Sequence, residues 1–262
     1  MKMEREQKIK PRMIVANWKM NPDNLSDARR LAAGARRAAG RARRGAEVVL
    51  CPPAIYLGAL VRPTAGRRRP PLSFGIQDIF WETSGAYTGM ISSLMAQSLG
   101  VEYAIVGHSE RRAAGDDDAA VNRKVRAARR AGLRVILCVG ERERDERGHY
   151  LHFIRRQLET ALQSLPRPQL AEIIIAYEPL WAISTAGRGA DTPADFLEQA
   201  IYIRKVLSHL MGPAGRSVSV LYGGSVDEKN AAAFLHQGEA DGLLVGRVSL
   251  RADRLAAIIA VA

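Results

Sequence analysis

Apolar residues in this chain gather in short unbroken runs instead of alternating with polar ones. The runs are MIVANW (13–18), EVVLC (47–51), LSFGI (72–76), YAIVGH (103–108), RVILCVG (134–140), EIIIAYE (172–178), SVSVLYGG (217–224) and DGLLVG (241–246). Such runs suit parallel strands whose outer face is covered by helices, because both faces of each strand are then buried. Between them lie longer Ala/Arg/Leu segments of helical period. Residues 24–40 open on Asn-Leu-Ser-Asp, with capping residues ahead of an Ala/Leu stretch. Residues 116–131 open on three aspartates, which favour a helix N-terminus. Residues 143–165 are long and amphipathic, 192–210 place Pro193 in the first turn, and 249–261 close the chain with another helix.

Eight strand–helix units in 262 residues predict an α/β fold. The expected architecture is a single-domain (β/α)8 barrel over residues 12–262, with residues 1–11 as a flexible N-terminal extension. A doubly wound open sheet usually has fewer strands. The turns between units are short, so no domain boundary is expected, and the basic, Pro-rich RPTAGRRRPP (62–71) reads as a surface connector.

Composition narrows the class. Hydrophobic residues make up 47% and charged residues 25%, which argues against disorder in the body of the chain. The net charge is +12, from 39 basic and 27 acidic side chains, and 32 of the basic residues are arginine. Most of these arginines sit among Ala and Gly in helix-like stretches, so they read as solvated helix faces and not as a nucleic-acid surface. The charge still attracts an anionic substrate. Two cysteines, Cys51 and Cys138, are too few for a disulfide framework and point to a reducing cytoplasm. The charged start MKMEREQKIKPR has no apolar stretch behind it, and nothing approaches a membrane span of about 20 apolar residues.

In a barrel of this kind functional groups cluster where the strands end. That rule selects Asn17 and Lys19 after the first strand and His108, Ser109 and Glu110 after the fourth. It also selects Glu178 at the end of the sixth, Gly223, Gly224 and Ser225 after the seventh, and Gly246 after the eighth. One cation, one imidazole, carboxylates and glycine-rich turns suit proton transfer next to a carbonyl in a substrate anchored by phosphate.

The motifs ANWKMN (16–21), GAYTG (85–89), VGHSERR (106–112), LCVGE (137–141), AYEPLWAI (176–183) and YGGSV (222–226) resemble the triosephosphate isomerase family, in family order and at family spacing. The resemblance covers residues 12–260 and implies the TIM barrel fold. It also implies the interconversion of glyceraldehyde 3-phosphate and dihydroxyacetone phosphate, without cofactor or metal. In that family Glu178 would be the catalytic base and His108 the electrophile. A helix N-terminus beside the ring keeps it uncharged, a tuning for which the family is itself known. Lys19 would balance the developing negative charge, Asn17 would orient both groups, and Ser109 and Glu110 would support them. Backbone N–H groups of Gly223, Gly224, Ser225, Gly246 and Arg247 would grip the phosphate. Residues 179–190 would form a closing lid, with Ser184 donating its N–H. A homodimer is implied, with residues 78–90 as the loop that docks beside the partner's site.

The chain departs from the family pattern in places. The lid reads Ser184-Thr185-Ala186 where Gly-Thr-Gly is usual, which predicts altered closing kinetics. Arg247 stands where a second glycine is usual; its side chain is expected in solvent while its N–H binds, with a guanidinium beside the phosphate as the alternative. Asp116 stands where a glutamate is usual and Met90 where a glutamate follows GAYTG. The lid changes and Arg247 leave a related four-carbon ketose phosphate as the alternative substrate. A basic nucleic-acid module on an inactive barrel is opposed by the complete catalytic set.

Overall fold

Each apolar run becomes a strand, and the eight strands close on themselves. The computed structural model describes residues 11–42, 46–61, 72–145, 147–170, 172–183 and 191–262. In chain order the elements are β1 (Met13–Asn17), α1 (Leu25–Gly40), β2 (Glu47–Cys51), α2 (Ala54–Leu60), β3 (Leu72–Ile76), α3 (Ser93–Ser98), β4 (Tyr103–Val106) and α4 (Ser109–Ala113). They continue with α5 (Asp118–Arg130), β5 (Arg134–Val139), α6 (His149–Leu162), α7 (Arg167–Leu170), β6 (Ile173–Tyr177), α8 (Leu180–Ile183) and α9 (Pro193–Met211). The last are β7 (Val220–Tyr222), α10 (Ala231–His236), β8 (Gly242–Val245) and α11 (Ala252–Ala260), with 3-10 turns at Gly212–Ser217 and Arg247–Leu250. The sheet is a closed barrel in the order β1 to β8. All neighbours are parallel, and β1 pairs with β8 through Met13 opposite Gly242.

The unbroken apolar runs now have a physical reason. Met13 and Val15 face the barrel interior with Val49, Ile105, Ile136 and Leu244. Their neighbours Ile14 and Ala16 face the helices, with Trp18, Ala28 and Ala32. Every position of β1 is buried, so alternation has no polar face to mark. Full burial of a Leu or Ile side chain stabilises by roughly 1.5–3 kcal/mol, so the two cores together outweigh any single polar contact.

Several element ends differ from the sequence expectation. The fourth run ends its strand at Val106, the seventh keeps strand structure only over Val220–Tyr222, and the eighth stops at Val245. The residues past each ladder form the rim, where backbone groups turn away from strand pairing, and the seventh run also loses its start, since a 3-10 turn runs to Ser217. The segment expected as helix from 143 to 165 is helical only over His149–Leu162, and Gly148 at φ 73 starts it. Residues ahead of it are drawn into a buried polar network described below. The last helix begins at Ala252 because a 3-10 turn precedes it. Pro193 does open α9, behind a Thr192/Asp195 capping box. The short α2, α3 and α10 had too few turns to show a period. Residues 1–10 of the proposed N-terminal extension, the connector 62–71 and residues 184–190, including Ser184, lie outside the described residues.

Candidate active site

The first strand delivers two groups. Asn17, its last residue, is buried. Lys19, two residues on, has φ 54, a left-handed conformation that costs a non-glycine residue about 1–3 kcal/mol. Local hydrogen bonds hold it there. Its N–H donates to Asn17 Oδ1 at 3.0 Å, and its carbonyl accepts from Gln77 Nε2 at 2.8 Å. The same Gln77 amide donates to the Cys51 carbonyl at 2.9 Å, tying the rims of β1, β2 and β3 together. The strained backbone sends the Lys19 ammonium across the mouth of the barrel to Glu110 Oε1, 2.7 Å away.

His108 and Glu178 come from strands on the opposite side. His108 caps α4, and its Nδ1 accepts the Glu110 N–H at 3.2 Å. A ring nitrogen that accepts carries no proton, so the imidazole proton sits on Nε2. That Nε2 lies 3.3 Å from Glu178 Oε1. The other carboxylate oxygen accepts the Ser109 N–H at 3.0 Å. Glu178 is 2% exposed and His108 7%, so both work in a setting that excludes bulk water. Close packing fixes the Glu178 backbone. A Cβ added to Gly140 would lie 1.8 Å from the Glu178 carbonyl oxygen, and one on Gly223 would lie 3.1 Å from Glu178 Cγ. Beneath the carboxylate, burial and the Glu178 charge push the Cys138 thiol well above its usual pKa, so it stays a neutral neighbour.

The glycine turns complete the rim. The Gly223 N–H donates to the Tyr177 carbonyl at 2.8 Å, which brings the β7 loop against β6. Gly224 packs on the Tyr222 phenol, and the exposed Ser225 is fixed through its carbonyl by Asn230 Nδ2 at 2.9 Å. A Cβ on Gly246 would come within 3.7 Å of Lys19 Cε, so the β8 turn borders the cation directly. The Gly246 carbonyl accepts from Ser249 Oγ and N–H at 2.7 and 2.9 Å. Arg247 follows, exposed to solvent.

Two buried polar clusters around this rim escaped sequence reasoning. In the first, Glu141 Oε1 accepts from Tyr177 OH at 2.7 Å, Trp181 Nε1 at 2.9 Å and Arg144 Nε at 2.9 Å. Arg144 also lies 3.8 Å from Asp191 Oδ1 and 3.4 Å from Asp195 Oδ1, and stacks over the Trp181 ring. Burial raises the Asp191 carboxyl to about 7, with Arg144 opposing and the charges of Asp195 and Glu141 adding to the rise. In the second, the buried Lys124 ammonium donates to both Asp78 oxygens at 2.8 Å and to Asp116 Oδ2 at 2.6 Å. Arg111 Nε lies 2.9 Å from Asp78 Oδ2. This cluster fastens the loop after β3 to the loop that carries His108 and Glu110. Glu141 stood within LCVGE, a signal that was present but carried no assigned role. Arg144 sits in the charge run RERDER, which looks the same whether buried or solvated.

A cavity of about 560 Å³ opens on the β1–β4 side of the rim, bordered by Asn17, Lys19, Gln77, His108, Glu110 and Met90, while Glu178 and the glycine turns lie outside its lining. Comparison with known proteins gives the family. A family model described as triosephosphate isomerase matches residues 12–262. The triosephosphate isomerase of Moorella thermoacetica is 43% identical over 249 residues, covering 94% of this chain and 97% of that protein. That of Dehalococcoides mccartyi is also 43% identical over 249 residues, covering 94% and 95%. The crystal structure of triosephosphate isomerase from Bartonella henselae superposes with a TM-score of 0.80 at 34% identity, covering 95% of this chain and 98% of that one.

Proposed function

This chain belongs to the triosephosphate isomerase family, and on that premise we propose which of its residues carry the reaction and how. The reaction interconverts D-glyceraldehyde 3-phosphate and dihydroxyacetone phosphate through an enediolate, a step of glycolysis and gluconeogenesis. One observation supports the assignment most: Glu178 Oε1 and His108 Nε2 face each other at 3.3 Å inside a rim that also presents Lys19.

Glu178 is the base. Its carboxylate takes a proton from the carbon next to the carbonyl and returns it to the adjacent carbon. Before it can do so it exchanges the Ser109 N–H for the substrate. The Nε2 proton of His108 is free to donate to the substrate oxygens, because Nδ1 is held as an acceptor. Lys19 balances the negative charge that builds on those oxygens, and Asn17 holds the Lys19 backbone. Glu110 is the ammonium's resting partner. The N–H groups of Gly224, Ser225, Gly246 and Arg247 receive the phosphate; Gly223, expected to join them, has its own N–H held by the Tyr177 carbonyl and instead lets the turn pack against Glu178. Ser184 is assigned its N–H contact by the family resemblance alone.

Residues 12–262 act as one catalytic barrel. Its working form is a homodimer, and exposed apolar side chains after three adjacent strands support this. Met20 follows β1, Ile55 lies at the start of α2 and Met90 follows β3, at 92%, 84% and 51% exposure. The cytoplasm is its proposed location. Both cysteines are free and buried, and no helix among the described residues is long and apolar enough to cross a membrane.

The test is isomerase activity of the wild type beside Glu178→Gln, assayed in both directions. Removing a positioned base lowers kcat by roughly 10²- to 10⁴-fold. Equal activity of the two proteins would take Glu178 out of the mechanism.

A further inference from the structure

The rim of the site carries a guanidinium that none of the roles above uses. Lys19, the nearest ammonium, is already paired with Glu110 at 2.7 Å. The neighbouring arginines are also engaged. Arg251 lies 3.5 Å from Asp253 and Arg254 2.7 Å from Glu228. Arg247 is exposed, and its side chain has no hydrogen bond or ion pair among the described residues. It follows Gly246 directly, and Gly246 is the glycine that borders the Lys19 stem. Its position is also fixed. Ser249 bonds the Gly246 carbonyl through both Oγ and N–H, so the turn that presents Arg247 is closed on itself.

We propose that Arg247 is a specificity-determining residue that captures the phosphate dianion with its side chain, so that this chain holds its substrate partly by charge where backbone donors alone would otherwise serve. The inference rests on the isomerase reading, since the anion in question is the phosphate of the triose. A phosphomonoester carries close to two negative charges at neutral pH, and guanidinium matches its oxygens in a two-pronged geometry. Lys19 does not compete for that role while Glu110 neutralises it. The pair is open to solvent, so it is weakened by salt. Its effect therefore falls on capture of the substrate and less on the chemical step.

The experiment compares the full-length wild type with Arg247→Ala, Arg247→Lys and Lys229→Ala. Lys229 is an exposed cation in the loop after β7 and controls for general surface charge. Steady-state kinetics are measured at low and high potassium chloride, and inorganic phosphate binding is measured by calorimetry without substrate. Arg247→Ala raises KM about three- to tenfold at low salt, changes kcat less than twofold, and flattens the salt dependence of KM. Phosphate binding weakens by a similar factor, and Arg247→Lys recovers part of both. Unchanged KM, salt slope and phosphate affinity in Arg247→Ala would overturn the proposal, as would an equal effect of Lys229→Ala. A wild type without isomerase activity would sink the parent reading instead. Phosphate calorimetry would still report on Arg247 in that case.

Discussion

Asp191 is the residue whose surroundings fit its chemistry least. Its side chain is fully shielded, and the cation beside it, Arg144, is shared with Glu141 and Asp195. Its folded pKa of about 7 lies above the roughly 3.9 of an unfolded aspartate, so the folded chain binds the proton more tightly. The stability this contributes is fully present below about pH 4 and is lost as pH rises through about 7. Asp191→Asn cannot ionise. Chemical denaturation of both proteins should therefore show the variant gaining on the wild type between pH 5 and pH 8. Parallel curves across that range would contradict the assignment. The side chains proposed for catalysis could be picked out because each stood in a motif at a strand end. Asp191 was not, because a single aspartate ahead of a helix reads as a solvated cap until its depth is known. Gln77 was hidden for a similar reason: its task is set by two carbonyls contributed by other strands.

At the scale of elements, α9 was read from sequence almost to its ends, because its start is written in side chains. Thr192 Oγ1 accepts the Asp195 N–H at 3.1 Å, and Asp195 Oδ2 accepts the Thr192 N–H at 3.2 Å. Thr192→Ala removes half of that reciprocal pair, and its expected cost is roughly 1 kcal/mol, seen as a lower denaturation midpoint at unchanged slope. A midpoint equal to wild type would mean that packing alone sets this helix start. The helix expected from 143 had no such mark. Arg144 and Glu141 spend their side chains on Trp181 and Tyr177, and the helix waits for Gly148. The strands were found because parallel strands bury both faces, whereas their ends were overestimated because glycines and site residues such as Gly107, His108 and Gly246 continue each run with no turn signal at the last ladder pair.

For the whole molecule the open question is association. The apolar side chains at the ends of β1, β2 and β3 sit on contiguous loops, since those strands are neighbours in the barrel. Met90, after β3, stands where the family resemblance gives a glutamate, which makes the surface more apolar. Met90→Lys should raise the dimer dissociation constant about tenfold or more, because it places a strongly hydrated charge in a surface that association would dry. Sedimentation equilibrium across micromolar concentrations measures this. A wild type that is monomeric throughout would refute the dimer.

The pairing of β1 with β8 has a last consequence, for how the protein fails. A ring of strands presents no free edge on which another chain could build. Deleting the β8–α11 segment would open two such edges at once and would also remove Gly246 from the flank of Lys19. Loss of turnover and self-adhesion of the damaged chain should therefore set in together, so that a shortened copy is recognised by its clumping as readily as by its silence.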